Sequence, residues 1–493
     1  MTGVPDRTPV LVGVGAIAQR CDDPREAREP LDLLVAALER AAEDAGSRAL
    51  LARADRIAAP RGFWDYADPC RAAAERFGAT AAKTEIAEIG VLQTTLFGRA
   101  AAAIAAGEAD VVLVAGAEAR HRAQRAKALG VDAPLATLPP APPDTVLRPH
   151  APIVSAAEIR AGIVMPVVQY AMVENALRAA EGLSIEKHRV EVASLWAGFA
   201  DVARENPDAW LRDGPDAATL LDPARNPMQA FPYGKLHISQ WNVDQAAGLA
   251  FCSAATARSL GIPRERWIFP LAVADANHMA PFTERAALGR CAGFAHSGRR
   301  ALARAGLEPA DVAHRELYSC FPVAVRMQRR ELGIVDDRPD TVTGGMAFAG
   351  GPLNHFALQA LVRLAVRLRA DRGSAGYLSA VSGILTKQGA SVWSSEPGPR
   401  PFAFDDVTAE TARDTATLPL VEGGEGDATI VTYTVLHEPG APLRTVLVCD
   451  LADGRRTIAQ SRDASLAALA TREELCGRSA RIGPAGVEVV ESA

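Results

Sequence analysis

The amino-acid sequence predicts an α/β protein with two similar halves and a small additional β-domain. Residues 93–106 form an apolar segment whose one charge is Arg99, and a helix that is apolar on nearly every side is buried between sheets. The order of loop, buried helix, short turn, strand and Gly-rich turn occurs near 87–119 and again near 344–383, which indicates two related halves. After residue 397, short strands follow one another with turn residues between them.

Length and composition narrow the class of protein. A chain of 493 residues with 48% hydrophobic and 5% aromatic residues is typical of an α/β protein of two or three domains. Its net charge of −6 gives no electrostatic argument for binding nucleic acid or an anionic membrane. No apolar run approaches the ~20 residues that span a bilayer. We therefore expect neither a nucleic-acid partner nor membrane association.

The cysteines and the start of the chain indicate the compartment. Seven cysteines are dispersed and none forms a Cys-x-x-Cys pair, so neither a zinc site nor a disulfide framework is predicted. Such a set is typical of reduced thiols in a cytoplasmic protein. Residues 1–7 lead directly into a predicted strand, and we expect no signal peptide. No metal and no permanently bound cofactor is expected.

The first half begins with a predicted buried strand at 9–15. A helix is predicted over 30–45, because apolar residues recur at helical spacing, a proline opens the segment and Gly46 follows it. The buried helix at 93–106 leads into a valine-rich strand at 110–114.

An excursion interrupts the first half at 120–240. Six prolines between residues 134 and 149 exclude a helix or a central strand, so a long loop is predicted there. Helices are predicted beyond it at 166–181 and around 184–202.

The second half is predicted to repeat the pattern of the first. Its glycine-rich loop at 344–351 precedes a long helix, as the loop near residue 90 precedes the buried helix of the first half. The predicted elements are strands at 267–273, 316–321 and 376–383 and helices at 285–305 and 354–370.

The end of the chain has the pattern of a small β-barrel. Strands are predicted at 428–435 and 444–451, followed by the hairpin signal Asp453-Gly454 and a returning strand that starts at 456–459. The boundary of this domain is predicted near 393–400.

Two segments resemble the thiolase family. They are Ala-Ile-Ala-Ala-Gly-Glu-Ala-Asp-Val-Val-Leu at 103–113 and the glycine loop at 344–352. The length and the added β-domain are similar to thiolase-like protein type 1, whose members are often labelled acetyl-CoA acetyltransferases. The resemblance implies a thiolase fold of two halves, 1–255 and 256–395, in five αβαβα layers. It also implies an OB-like domain at 397–493.

Thiolase chemistry depends on four loops, and this chain departs from the family in each of them. The nucleophilic cysteine of the first loop corresponds to Gly90. The second loop, Asn-Glu-Ala-Phe or His-Asp-Cys-Phe in the family, is Tyr-Ser-Cys-Phe at 318–321. The histidine of the Gly-His-Pro loop corresponds to Gly351, and the cysteine of the Cys-x-Gly loop to Val381. Claisen condensation needs the nucleophile and the acid/base groups, so we expect no ordinary thiolase activity.

Three residues in or beside these loops are candidate catalytic groups. Cys320 could accept an acyl group, or it could be a buried and inert cysteine. Tyr318 could donate a hydrogen bond to a thioester or enolate oxygen, or it could pack as the last residue of a strand. His355 is predicted in the first turn of the following helix, where it could be a displaced base or a residue of the capping region.

Further residues are candidates for substrate binding. His237 lies in a polar run that corresponds to a loop bordering the site in the family, although a strained polar connection would look the same. Basic residues at 120–127 could contact CoA or form a solvated face. The candidate substrate-binding residues are Gly350, Gly351, Asn354, His237 and Ser382.

The C-terminal domain resembles the OB-like barrels that accompany some thiolase-type proteins as separate subunits. The matching segments are short and lie at 433–435, 453–455 and 474–478. OB-folds that bind single strands need a positive groove and aromatic faces, whereas residues 397–493 contain 9 arginines, no lysine and 15 acidic residues. We therefore expect a lid or scaffold for an acyl-thioester site.

The resemblance implies a ligand class, a CoA thioester or a carrier-bound acyl thioester, and a place in lipid metabolism. One hypothesis is an acyltransferase-like enzyme that uses Cys320. A second is a retro-aldolase on a β-hydroxyacyl-CoA that uses Tyr318 or His355. A third is a non-catalytic acyl-CoA-binding or scaffold protein. Either a monomer or a homodimer is expected.

Overall fold

The computed structural model describes residues 3–438, 440–484 and 486–490. The ends of the chain and residues 439 and 485 belong to the predicted ranges 1–255 and 397–493 but lie outside the described residues.

The first half is built on a six-stranded mixed sheet. The order of its strands is β1-β8-β4-β2-β3-β5, with β2, β3, β4 and β5 parallel and β1 and β8 completing one edge in antiparallel pairs. The elements are β1 Pro9–Ala18, α1 Pro30–Ala45, α2 Ala49–Ala52, β2 Arg56–Pro60, α3 Pro69–Phe77, β3 Lys83–Ala87, α4 Gln93–Ala105, β4 Val111–Ala119, α5 Arg120–Leu129, β5 Thr145–Leu147, α6 Ala156–Arg160, α7 Pro166–Ala180, α8 Ile185–Arg204, α9 Ala217–Leu221, β6 Met228–Ala230, β7 Tyr233–Gly234, β8 Asp244–Ser253 and α10 Ala254–Ser259.

The second half is built on a five-stranded sheet of order β10-β11-β12-β9-β13. Helix α11 begins at Ala292, so the prediction of helix from residue 285 was wrong for its first residues. Strand β10 ends at Glu316, so Tyr318 follows the strand within a loop and is not its last residue. The elements are β9 Phe269–Ala276, α11 Ala292–Ala305, β10 His314–Glu316, α12 Pro322–Leu332, α13 Gly345–Phe348, α14 Phe356–Ala370, β11 Ala375–Ser382, β12 Lys387–Ser394 and β13 Ala403–Asp406.

The two sheets enclose a layer of helices. Helix α4 packs against β4 of the first sheet and against β9 and β12 of the second, and α14 packs against β8 and β11. Helix α1 covers the other face of the first sheet and α11 the other face of the second. The layers therefore follow the predicted αβαβα order. Small residues make this possible: a Cβ on Gly98 of α4 would come within 2.7 Å of the Phe404 ring.

The additional C-terminal domain forms a third sheet with its own apolar core. Its main path is β14-β17-β16-β15-β18-β19, and the short strand β6 also pairs with β15. The closed OB-like barrel stays a prediction. Strand β13 pairs with β9, so the chain completes the second sheet before it enters this domain. The further elements are α15 Thr408–Arg413, β14 Leu420–Val421, β15 Gly426–Leu436, β16 Arg444–Leu451, β17 Arg456–Ser461, α16 Ala464–Arg472, β18 Ser479–Gly483 and β19 Gly486–Val489.

Helix α7 of the excursion joins the additional domain to the rest of the molecule. The Asn175 side chain donates to the carbonyls of Phe231 and Tyr433, at 3.1 and 2.7 Å. The fully buried Arg178 contacts Glu474 and the Tyr433 hydroxyl. Among the described residues, no helix has the length and apolar character needed to cross a membrane.

Candidate functional site

The carboxyl ends of β2, β3 and β4 meet at one edge of the first sheet, because these strands are parallel. Ligands of open α/β sheets bind outside this edge. The chain leaves β2 at Arg61, β3 at Glu88 and β4 at Arg120. Gly90, which the resemblance aligns with the thiolase nucleophile, lies in the turn that joins β3 to α4.

The space beside Gly90, where the resemblance predicts the thiolase nucleophile, is occupied. Gly90 has φ 106°, a conformation that favours glycine. A Cβ there would lie 2.9 Å from Pro149 Cγ and 3.5 Å from Lys387 Nζ. A cysteine at this position would therefore overlap the loop that the excursion lays across it.

Lys387 was missed in the sequence and is the nearest ionisable group to Gly90. It opens β12, is 2% exposed, and its ammonium donates to the Gly90 carbonyl. Burial lowers the pKa of this lysine to about 8, since an interior position disfavours the charged form. The sequence does contain a signal for Lys387, since it is a single lysine at the start of a strand that has no other charged residue.

Glu316 binds the segment that leads into the glycine loop. Its carboxylate accepts hydrogen bonds from the backbone N–H groups of Val342 and Thr343, at 2.8 and 2.9 Å, and from the hydroxyls of Thr341 and Thr343. These bonds fix the chain just before Gly344, which has φ 98°. The loop is therefore rigidly shaped without its family histidine.

The position of the family histidine is also filled. A Cβ on Gly351 would overlap Ser239 Oγ, and one on Gly350 would overlap the Gln245 side chain. Asn354 faces the edge of the first sheet, where its side-chain amide donates to the Arg61 carbonyl at 3.2 Å.

His355 precedes α14 and does not lie in its first turn. The side chain is buried against β4, so closely that a Cβ on Gly116 would overlap it. Burial lowers the pKa of His355 to about 3. A group this weakly basic is a poor general base near neutral pH.

Cys320 and Tyr318 lie together in a buried apolar region. Burial raises the pKa of the Cys320 thiol to about 12, and it raises the pKa of Tyr318 well above the ordinary value. The Tyr170 hydroxyl donates to the Gly383 carbonyl at 3.1 Å, and its ring stacks at 4.5 Å on Phe321, the residue after Cys320. The Tyr318 ring meets Phe356 edge-on at 5.9 Å. Both groups are therefore protonated at neutral pH, and Cys320 is not a thiolate.

His237 lies elsewhere, in a separate small cavity. It ends a short 3₁₀ turn, its Nδ1 accepts the Gly234 N–H at 3.1 Å, and it lines a cavity of about 50 Å³ with His188 and Asn226. Burial lowers the pKa of His237 to about 4. The structure therefore does not place His237 in one cavity with Cys320.

The fourth loop is covered by the excursion. Ser382 is half-buried. A Cβ on Gly383 would overlap Thr386 Oγ1 and would lie 3.4 Å from Ile153. Residues of the excursion, Pro149 and Ile153, thus lie over the first and fourth loops together.

An open cleft of about 750 Å³ adjoins these loops at the edge of the first sheet. Arg120 lies over the rings of Phe63 and Trp241, with centroid distances of 4.2 and 4.7 Å, and its Nε has no partner among the described residues. Phe63 and Trp241 are 45% and 42% exposed. The cleft is lined by Arg61, Gly62, Phe63, Trp64, Asp65, Tyr66, Ala67, Glu88 and Arg120.

Two further charged groups near the cleft differ in role. Burial raises the pKa of Glu118 to about 7, and its carboxylate accepts the Phe63 N–H at 2.9 Å. Arg122 is buried and donates to the carbonyls of Ala27 and Ala133. Arg122 therefore connects two distant segments of the chain, whereas Arg120 faces the cleft.

Among the described residues, no cluster of three or more His, Cys, Asp or Glu could hold a metal ion.

The additional domain matches a family model. Residues 406–487 match the thiolase-like protein type 1 additional C-terminal domain. A monomeric SCP2-thiolase-like protein type 1 from Mycobacterium smegmatis is similar over 99% of this chain and 100% of its own, with 28% identity and a TM-score of 0.82. The resemblance to thiolase-like protein type 1 is confirmed.

Two other solved structures show the thiolase fold alone. This chain is 18% identical to an Ltp2-ChsH2(DUF35) aldolase, with a TM-score of 0.58 over 80% of this chain and 99% of that one. It is 16% identical to the dimeric peroxisomal thiolase of Saccharomyces cerevisiae, with a TM-score of 0.56 and the same coverage. No curated protein matches the chain.

Proposed function

We propose that this thiolase-like protein binds an acyl thioester of CoA, or of a carrier, without thiolase acyl transfer. The observation that supports this most is that other side chains fill the positions of the thiolase groups. Pro149 and Lys387 take the space of the nucleophile at Gly90, and Ser239 takes that of the histidine at Gly351. Cys320, the remaining thiol in the site loops, is buried and protonated.

The cleft beside Gly90 is the proposed ligand site. Its volume of about 750 Å³ lies in the range of small-molecule sites, which are clefts of roughly 300–1,000 Å³. Arg120 lines the cleft, and its guanidinium lies over two exposed aromatic rings, so it suits a ligand that carries both phosphate and a planar base. The thioester would then lie towards Gly90 and Lys387.

Calorimetry with CoA and with acetyl-CoA tests this proposal. Arg120→Gln is expected to weaken binding about tenfold or more, because it removes charge-assisted hydrogen bonds. Lys127→Gln is the matched control, since Lys127 lies on the same helix, is exposed and does not line the cleft. Absence of binding to both compounds would remove the proposal, as would equal weakening by the two variants.

Lys387 supports a second candidate function, retro-aldol cleavage of a β-hydroxyacyl thioester. With a pKa of about 8, a useful fraction of the amine is neutral at physiological pH and can act as a base. The neutral amine would take the proton of the β-hydroxyl. The Cα–Cβ bond would break, an aldehyde or ketone would leave, and the electron pair would form the thioester enolate, which is then protonated. This step needs no acyl-enzyme.

Release of aldehyde or ketone from a β-hydroxyacyl-CoA separates the two functions. Lys387→Met is expected to abolish release if the second function holds, and the exposed Lys187→Met is the control. Release that is unchanged in Lys387→Met would exclude Lys387 as the base. No release from a panel of β-hydroxyacyl-CoA compounds would leave thioester binding as the function.

For the additional domain we propose a scaffold role and an OB-like closure. Helix α7 supports this, because Tyr170 stacks on Phe321, the residue after Cys320, while Asn175, on the same helix, donates to the Tyr433 carbonyl of the added sheet. For the whole chain we propose a monomer in the cytoplasm. The similar Mycobacterium smegmatis protein is described as monomeric, and β5 covers the edge of β3. Light scattering tests the monomer.

A further inference from the structure

A second cavity lies between the second half and the additional domain. It has a volume of about 320 Å³ and is bounded by the start of α11, the segment after the fourth loop, and α15 with the turn that follows it. Gln388 lines this cavity, whereas its neighbour Lys387 points to Gly90. Successive residues of a strand face opposite sides, so β12 separates this cavity from the cleft.

The cavity is lined by three arginines and two carboxylates. Arg285, Arg290 and Arg299 line it, together with two histidines. Its two carboxylates already have partners, since Glu331 binds Arg290 at 2.7 Å and Asp414 binds His296 at 2.7 Å. The Arg299 guanidinium donates to a backbone carbonyl, that of Glu331.

Arg285 is a buried cation without a counter-ion. It is 7% exposed, and its terminal nitrogens donate to the carbonyls of Ile384 and Leu385, at 2.6 and 2.9 Å. Its Nε has no partner among the residues described here, and the nearby buried carboxylate of Glu158 accepts the N–H and hydroxyl of Thr283 instead. Buried charges in proteins are ordinarily paired, because an isolated one is costly. The missing anion is therefore expected from a ligand.

The start of α11 also lies at the cavity, where the Cys291 N–H already donates to the Glu331 carboxylate at 2.9 Å. Ala292 and Gly293, the first two residues of this 14-residue helix, line the cavity. The N-terminus of a helix presents unpaired N–H groups and the positive end of the helix dipole. Anions bind at such positions.

We propose that this cavity is a binding site for a small organic anion, whose phosphate or carboxylate group contacts Arg285, Arg299 and the start of α11. The rest of the wall is largely apolar, with Ala280, Ala286 and Leu385, so the ligand carries a short apolar body beside its charged group. Thr411 and Thr415 of the additional domain also line the wall. The site therefore needs both parts of the chain.

Calorimetry of the full chain with inorganic phosphate and, separately, with hexanoate tests this proposal. At least one anion is expected to bind, and the stronger of the two identifies the charged group. Arg299→Gln, at an exposed position, is expected to weaken that binding about tenfold. Arg304→Gln is the control, because Arg304 lies on the same helix but pairs with Asp405 outside the cavity.

Two results would overturn the proposal. One is no binding of either anion to the full chain. The other is equal weakening by Arg299→Gln and Arg304→Gln, which would indicate a general effect of surface charge. Arg120→Gln, in the cleft of the first sheet, is expected to leave this binding unchanged, so failure here is distinct from failure of the thioester proposal.

Discussion

Restoring the thiolase nucleophile by Gly90→Cys tests whether the site is closed. Gly90 has φ 106°, and a Cβ in the left-handed region costs ~1–2 kcal/mol. The new Cβ would also lie 2.9 Å from Pro149 Cγ, and overpacking costs ~1–3 kcal/mol. We therefore expect a loss of about 2–5 kcal/mol in the free energy of unfolding and no gain of thiolase activity.

A control separates the two contributions. Gly46 has φ 74°, and a Cβ there would meet nothing within 4 Å, so Gly46→Cys measures the backbone cost alone. Pro149→Gly removes the atoms that Gly90→Cys would strike. The double variant is expected to recover ~1–3 kcal/mol relative to additivity, because residues in contact couple.

Guanidinium unfolding curves of the four variants and the parent chain provide the free energies. Alkylation by iodoacetamide adds a second measurement, since a cysteine beneath Pro149 should react more slowly in Gly90→Cys than in the double variant. The reasoning would be refuted if Gly90→Cys were no less stable than Gly46→Cys and Pro149→Gly brought no recovery. Thiolysis of acetoacetyl-CoA by Gly90→Cys would refute it as well.

Three further predictions follow from buried polar groups. Cys320, whose pKa burial raises to about 12, is expected to resist alkylation at pH 8 in the native chain and to react after unfolding, as read by peptide mass spectrometry; rapid native labelling would contradict its burial. Glu174→Gln is expected to cost ~3 kcal/mol at pH 7, because it removes the fully buried carboxylate that pairs with Arg326 and leaves that arginine only the partly exposed Glu181. Burial opposes ionisation of Glu174, but Arg326 and the neighbouring groups outweigh burial and lower the pKa of Glu174 from 4.5 to about 2. The contribution of the Glu174 carboxylate to stability is therefore complete above pH 4.5 and is lost as the pH falls to 2. The denaturation midpoints of parent and variant should then converge in acid, and a difference between them that is independent of pH would contradict this. Arg178→Met is expected to lower the free energy of unfolding by ~2–3 kcal/mol, less than the loss of a fully buried pair, because Glu474 is 34% exposed. The variant is also expected to be cleaved faster by proteases between the two sheets' part and the additional domain. Proteolysis at the parent rate would show that this contact does not hold the domain.

Local patterns predicted much of the fold. The apolar segment at 93–106 became α4 between two sheets, because burial on every side is recorded in the composition of the helix itself. Prediction was poorer at boundaries. The helix expected from residue 285 begins at Ala292, because Arg285 is drawn into contacts with the 384–385 segment. Such contacts have no local sequence signal.

The candidate site shows the same division. The resemblance predicts that Gly90, Gly351 and Val381 correspond to the reacting groups of thiolases. The sequence did not reveal which side chains occupy the space beside these residues. His355 was expected near the helix surface or in the cavity, and the structure buries it against Gly116, so its weak basicity follows from tertiary packing alone.

By itself, the sequence determined the α/β class, the two halves and the added β-domain, because periodicity and glycine turns are local properties. The tertiary structure alone decided that Pro149 lies over Gly90, that Lys387 approaches the same carbonyl, and that Arg285 lacks a counter-ion. Lys387 and Gly90 are almost 300 residues apart in the chain. Contacts of that separation arise only when the sheets and the excursion pack together, and they set the burial that governs each pKa.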